Sequence, residues 1–129
     1  MQGESTSTGP GPKLSLSLAW VTGRQILRCV CEGQADIEES ARLLKMAADE
    51  PTPPGSALLV NLLGVTGNLA LNERFELGVV TVKALSKFRR VAIVQEARPD
   101  DGFGALVARN RGANIAVFRT ENDAMNWLS

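Results

Sequence analysis

The run SALLVNLLGV is apolar at almost every position from Ala57 to Leu62. A strand with no polar side to turn toward water has to be covered on both faces, which is the situation of a central strand in a sheet flanked by helices. That one segment therefore predicts an α/β fold with Ala57–Leu62 at the middle of its sheet. Two glycines, Gly64 and Gly67, then break the pattern, and LNERFELGVVTVKALSKF resumes at helical spacing, with Leu71, Phe75, Val79, Val82 and Leu85 along one face.

The flanking segments supply the rest of the layers. LSLSLAWV alternates with period two, TGR makes a turn, and QILRCVCEG continues in a β-rich pattern, predicting an antiparallel hairpin of Leu14–Val21 and Gln25–Cys31. ADIEESARLLKMAADE carries Ile37, Ala41, Leu44, Ala47 and Ala48 at helical spacing, with Asp36 as N-cap and Glu39 in the capping-box position. PTPPG ends that helix by Glu50. Val91–Gln95 reads as a second buried strand, RPDDGFGALVARNRG as a turn and a short helix closed by Gly112, NIAVF as the last strand, and RTENDAMNWLS as a helix capped by Thr120. The order is β-β-α-β-α-β-α-β-α, a mixed sheet with a parallel portion. MQGESTSTGPGPK, residues 1–13, has almost nothing to bury and reads as a flexible tail before one domain over residues 14–129.

Composition narrows the chemistry. The 129 residues include no histidine and no tyrosine, which removes the commonest general acid/base groups and His-rich metal sites. Lys+Arg and Asp+Glu balance at 14 each, so there is no cationic excess to neutralise a nucleic-acid backbone. Cys29 and Cys31 lie two apart on a strand, on one face and too close in sequence to bridge each other, as small core residues of a reduced protein would. No apolar run has the length of a membrane span, and the first residues lack a secretory pattern, so the expected location is the cytoplasm. Neither a cofactor nor a metal is expected.

Several tempting motifs have plainer explanations. Glu73 and Glu76 can share a helix face, but beside Arg74 and without a nucleophile they read as solvated carboxylates. Lys83 with KFRR, Lys87–Arg90, complements a helix C-terminus. DGFGAL lacks the third glycine of a dinucleotide loop and the Gly-Lys-Ser/Thr of a phosphate loop, and its aspartates repel phosphate. Trp20 and Trp127 read as anchors closing the core.

The central NLLGV strand, the helix around Glu73, Arg74 and Phe75, and the closing AVFRTENDAMNWLS resemble the STAS, or anti-sigma-factor-antagonist-like, superfamily over about Leu14–Leu128. The chain is most similar to its STAS/SEC14-type branch, related in fold to CRAL-TRIO lipid-transfer domains. In signalling members of that family the loop after the central strand carries an Asp-Ser pair whose serine is phosphorylated. The corresponding GVTGNLALNER has no serine, Thr66 is its only hydroxyl, and Asn61 stands where an aspartate is expected, so the resemblance implies a retained surface without the phospho-switch.

The function this implies is a non-catalytic regulatory or protein-interaction module, with a bacterial-type protein partner or a second copy of itself. Thr66, Asn68, Asn72 and Arg74 are the candidate contact residues. The alternative is a domain binding a small apolar or lipid-like ligand. Such ligands lie outside the carboxyl ends of the strands in open α/β sheets, which nominates Phe75, Phe103 and Arg119 for the rim. The two functions differ in one observable: a ligand binder holds a concave apolar cavity between helices and sheet, whereas an interaction module has a filled core and an exposed apolar patch.

Overall fold

A computed structural model describes residues 14–67, 69–96 and 114–129, the side chains of 71 and 82 apart. The hairpin forms as β1 (Leu14–Trp20) and β2 (Ile26–Gln34), paired antiparallel from Leu14 opposite Gly33 to Trp20 opposite Leu27. Helix α1 (Ile37–Asp49) starts where the sequence predicts, the Asp36 carboxylate accepting from the Glu39 backbone N–H at 3.0 Å. The Glu39 carboxylate takes the Arg42 guanidinium at 2.9 Å. β3 (Ala57–Thr66), α2 (Leu71–Ala84), β4 (Val91–Val94), β5 (Ile115–Phe118) and α3 (Glu121–Leu128) follow. The Thr120 hydroxyl caps α3 by accepting from the Asp123 N–H at 3.1 Å. The tail and the helix expected between β4 and β5 lie outside the described residues.

The five strands stand in the order β1-β2-β3-β4-β5, parallel except for β1, so the apolar strand is central as its composition demands. Alternation sorts the side chains onto two faces. Leu27, Cys29, Leu58, Val91 and Ile115 point toward α1 and the end of α2, where they meet Ala47 and Leu85. Ile26, Ala57, Leu59, Ala92 and Val94 point the other way and pack on Ala124 and Leu128 of α3.

Three expectations are corrected. The central strand does not end near Leu62 but runs on to Thr66 through a bulge: Val30 stands opposite Asn61 and Glu32 opposite Gly64, so Leu62 and Leu63 together face Cys31. Gly64 is therefore inside the strand, at a close approach where a Cβ would lie 2.9 Å from Glu32 Cγ and 3.3 Å from the Cys31 carbonyl. The true break is Gly67, whose φ of +77° is open to glycine at little cost. Helix α2 is also turned differently from its apolar pattern. Phe75, expected on the buried face, is 45% exposed, while Gly78, Thr81 and the flanking Leu85 are buried. Trp20 is likewise 38% exposed rather than closing the core. Among the described residues no helix is long and apolar enough to cross a membrane.

Candidate functional site

The rotation of α2 has a spatial consequence. Its inward positions are Arg74, Leu77, Gly78, Thr81 and Leu85, and the hydrogen atom of Gly78 and short side chain of Thr81 leave the space above the sheet incompletely filled. The result is a cavity of about 260 Å³, partly open to solvent, bounded by α1, α2 and the sheet. Leu58, Val60 and Leu62 of β3 make its floor, Leu43 and Ala47 of α1 one wall, and Ile93 and Val117 the opposite side. The β3 bulge shapes this space, because the extra residue resets the alternation and brings Val65 onto the same side as Leu62.

The ionisable and polar groups around the cavity are quiet. The thiols of Cys29 and Cys31 lie on its wall; burial pushes Cys29 up to about 12, with Cys31 and Glu50 adding to the rise, and burial pushes Cys31 up to about 11. Both stay protonated at neutral pH and behave as small apolar surface. The Thr81 hydroxyl donates to the Leu77 carbonyl of its own helix at 2.7 Å. Arg74 reaches the cavity edge and donates from Nε to the Leu69 carbonyl at 3.1 Å, which ties the guanidinium to the β3–α2 connection.

A second polar group sits on the opposite face. Arg28 of β2 grips Glu121 of α3 in a bidentate pair, Nε to Oε1 at 3.0 Å and the terminal amine to Oε2 at 2.8 Å. Asn61 donates to the same carboxylate and accepts the Leu63 N–H at 2.9 Å, so one side chain pins α3 and satisfies the bulge. The hydrogen bond from Arg28 holds the Glu121 carboxyl below its ordinary range, with burial opposing and Asn61 reinforcing the shift. These groups form a clamp that leaves no proton donor or nucleophile poised for reaction.

The basic cluster also has structural work. Arg89 donates to the carbonyls of Gly55 and Leu128, Arg90 donates to the Trp127 carbonyl and stacks over its ring at 5.0 Å, and Lys87 donates to the Glu50 carbonyl. The cations thus cap the ends of α1 and α3 rather than that of α2, the helix they follow in sequence.

No protein-family model matches the chain, and no curated protein does either. Solved structures do. An uncharacterised protein of the DUF3478 family with a SpoIIAA-like fold, from Shewanella loihica, is 19% identical, with a TM-score of 0.59 over 96% of this chain and 100% of that one. An anti-sigma factor antagonist from Mycobacterium paratuberculosis is 16% identical, with a TM-score of 0.57 over 92% of this chain and 97% of that one. The chain has the SpoIIAA-like, or STAS, fold.

On the STAS framework the residues nominated from sequence fall into separate environments. Thr66 ends β3, exposed, its hydroxyl donating to the Gly33 carbonyl at 3.3 Å and its own carbonyl accepting from the Ala35 N–H at 2.8 Å. Asn72 is exposed in the first turn of α2, while Arg74 is half-buried and borders the cavity. Asn68 and Phe103 lie outside the described residues. Phe75 and Arg119 are exposed, and the α2 wall of the cavity is made by the neighbouring Arg74 and Leu77 instead. Cys29, Cys31, Gly78 and Thr81 were legible only as core or helix residues; nothing in their spacing announces that they border open space.

Proposed function

We propose that the protein is a non-catalytic STAS-type module that takes a small apolar ligand in the cavity between α1, α2 and the sheet. The observation that carries this is the cavity itself, about 260 Å³ with mostly aliphatic walls. An enclosed apolar cavity of about 150 Å³ in another protein binds benzene, and this one, larger though partly open to solvent, offers comparable aliphatic surface to a hydrocarbon. Support for a non-catalytic role comes from the protonated thiols, the self-bonded Thr81 hydroxyl and the clamped Glu121, none of which is set beside a partner that would activate it.

A regulatory, protein-contacting role is the second reading, favoured by Leu63 at 44% and Phe75 at 45% exposure on either side of the β3–α2 connection, with Thr66, Asn72 and Arg74 close by in sequence. On either reading residues 14–129 act as one domain of a cytoplasmic protein. Native mass spectrometry of the purified protein separates the two. A monomer carrying additional small-molecule mass supports the ligand reading and sinks the interaction one. A ligand-free dimer that does not take up added decanol does the reverse.

A further inference from the structure

The sheet ends in β1, and the outer side of that strand has no neighbour among the described residues. Val21 donates its N–H to the Ile26 carbonyl across the hairpin at 2.9 Å, and amide direction alternates along a strand, so Ala19, Ser17 and Ser15 also turn toward β2. The N–H and C=O groups of Leu14, Leu16, Leu18 and Trp20 therefore point away from the sheet. Sheet edges are ordinarily blunted by charge, proline, a bulge or short length. β1 has none of these: LSLSLAW is 7 residues long, uncharged and in unbroken register with β2. The opposite edge strand, β5, is only 4 residues long.

We propose that this edge pairs with the β1 edge of a second copy of the chain, antiparallel about a twofold axis through Ser17, so that the two sheets become one. The occupant follows from what β1 offers to itself. Full overlap of the two strands places Leu16 opposite Leu18 of the second copy and Trp20 opposite Leu14 of the second copy, and every outward backbone group is then matched. The side chains of these residues share the α1 face, where Leu14, Leu16 and Leu18 already pack on the core and Trp20, at the end of the row, is 38% exposed. Across the axis the indole ring gains an aliphatic neighbour in place of water. On the other face only the small, exposed Ser15, Ser17 and Ala19 meet their counterparts. A residue on the axis faces its own copy, so a charge there would repel itself, and β1 carries none. The proposal goes beyond the ligand reading: β2 separates β1 from β3, and the pairing uses the backbone of Leu14 and Leu16 rather than the side chains that line the cavity. A dimer that also takes up decanol satisfies both.

The test is light scattering of the full chain across roughly 1 to 500 µM, joined to amide hydrogen exchange at the two ends of that range. The mass is expected to rise reversibly from 13.8 kDa toward twice that value. The Leu16 and Leu18 amides should gain protection as the dimer forms, while those of Ser17 and Ala19, turned toward β2, are protected throughout. Ser17→Glu and Ser17→Lys each set like charges across the axis at an exposed position, and each should weaken association about fivefold without changing the melting temperature of the dilute protein. An equimolar mixture of the two variants should associate at least as tightly as the native chain, because the pair across the axis is then of opposite charge. A native chain that stays monomeric across the range overturns the proposal, as does a dimer that both variants form as readily as the native chain. Full protection of the Leu16 and Leu18 amides in the dilute monomer also overturns it, since a segment of the same chain would then occupy the edge.

Discussion

The two faces of the sheet are built from the same strands and end in different states. On one face α3 lays Ala124 and Leu128 directly on Ala57, Leu59, Ala92 and Val94, all fully buried, and Arg28, Asn61 and Glu121 fasten the helix at its first residue. On the other face Ala47 of α1 and Leu85 at the end of α2 join the packed cluster at one end, but beside Leu77 the inward α2 positions are the small Gly78 and Thr81. Strand hydrophobicity therefore does not decide which face is solid. Among the described residues the size of the helix side chains directed at it does, because a helix held by its ends over short side chains leaves volume that its described neighbours do not fill.

Adjacent residues of β3 offer the largest test of that contrast. Leu58 and Leu59 are both fully buried, on opposite faces. Leu59→Ala opens a new void in a filled layer and should cost about 3–5 kcal/mol, whereas Leu58→Ala enlarges an existing one and should cost about 1–2 kcal/mol less, since part of the Leu58 surface already lacks packed neighbours. Urea denaturation of the two variants measures the difference, and equal losses would mean that the faces are equally packed.

Asn61→Ala probes the clamp and the bulge together. Removing its amide takes one hydrogen bond each from the exposed Leu63 N–H and from Glu121 Oε2, which keeps Arg28, and should cost about 1 kcal/mol. The clamp also has a pH signature. Because Glu121 is held below its unfolded value, its contribution is complete above the ordinary carboxylate range near 4.3 and is lost as pH falls through the lower folded value. Glu121→Gln should flatten this acid limb of the stability curve; an unchanged limb would place the acid sensitivity elsewhere.

Gly78→Ala is the smallest change and has the opposite sign. A buried helical glycine bordering open space should accept a methyl group, raising stability by about 0.5–1 kcal/mol through helix propensity alone. A fall in melting temperature would show that α2 lies against the sheet at that point.

Much of this fold was legible in the sequence. Period-two alternation gave the hairpin, Asp36 and Thr120 marked their helices, and the uninterrupted apolar run put β3 at the centre. The failures share a physical cause. Gly64 looked like a break because its reason for being glycine is a contact with Glu32 and Cys31 on another strand, which no local pattern contains. Phe75 looked buried because α2 has apolar residues on more than one side, so spacing alone does not select the rotation that turns Gly78 and Thr81 inward. The site was legible only in part for the same reason. Arg74 was named as a contact residue from its neighbourhood, whereas the cavity it borders is a property of what three elements fail to fill.

Methyl NMR during a titration with decanol tests the central claim most directly, because it reads both faces at once. The account predicts that methyl signals of Leu58, Val60, Leu62, Ile93 and Val117 shift together while those of Leu59, Val94 and Leu128 stay in place. Shifts confined to exposed methyls such as Leu63 and Val80, with the cavity residues unmoved, would contradict it.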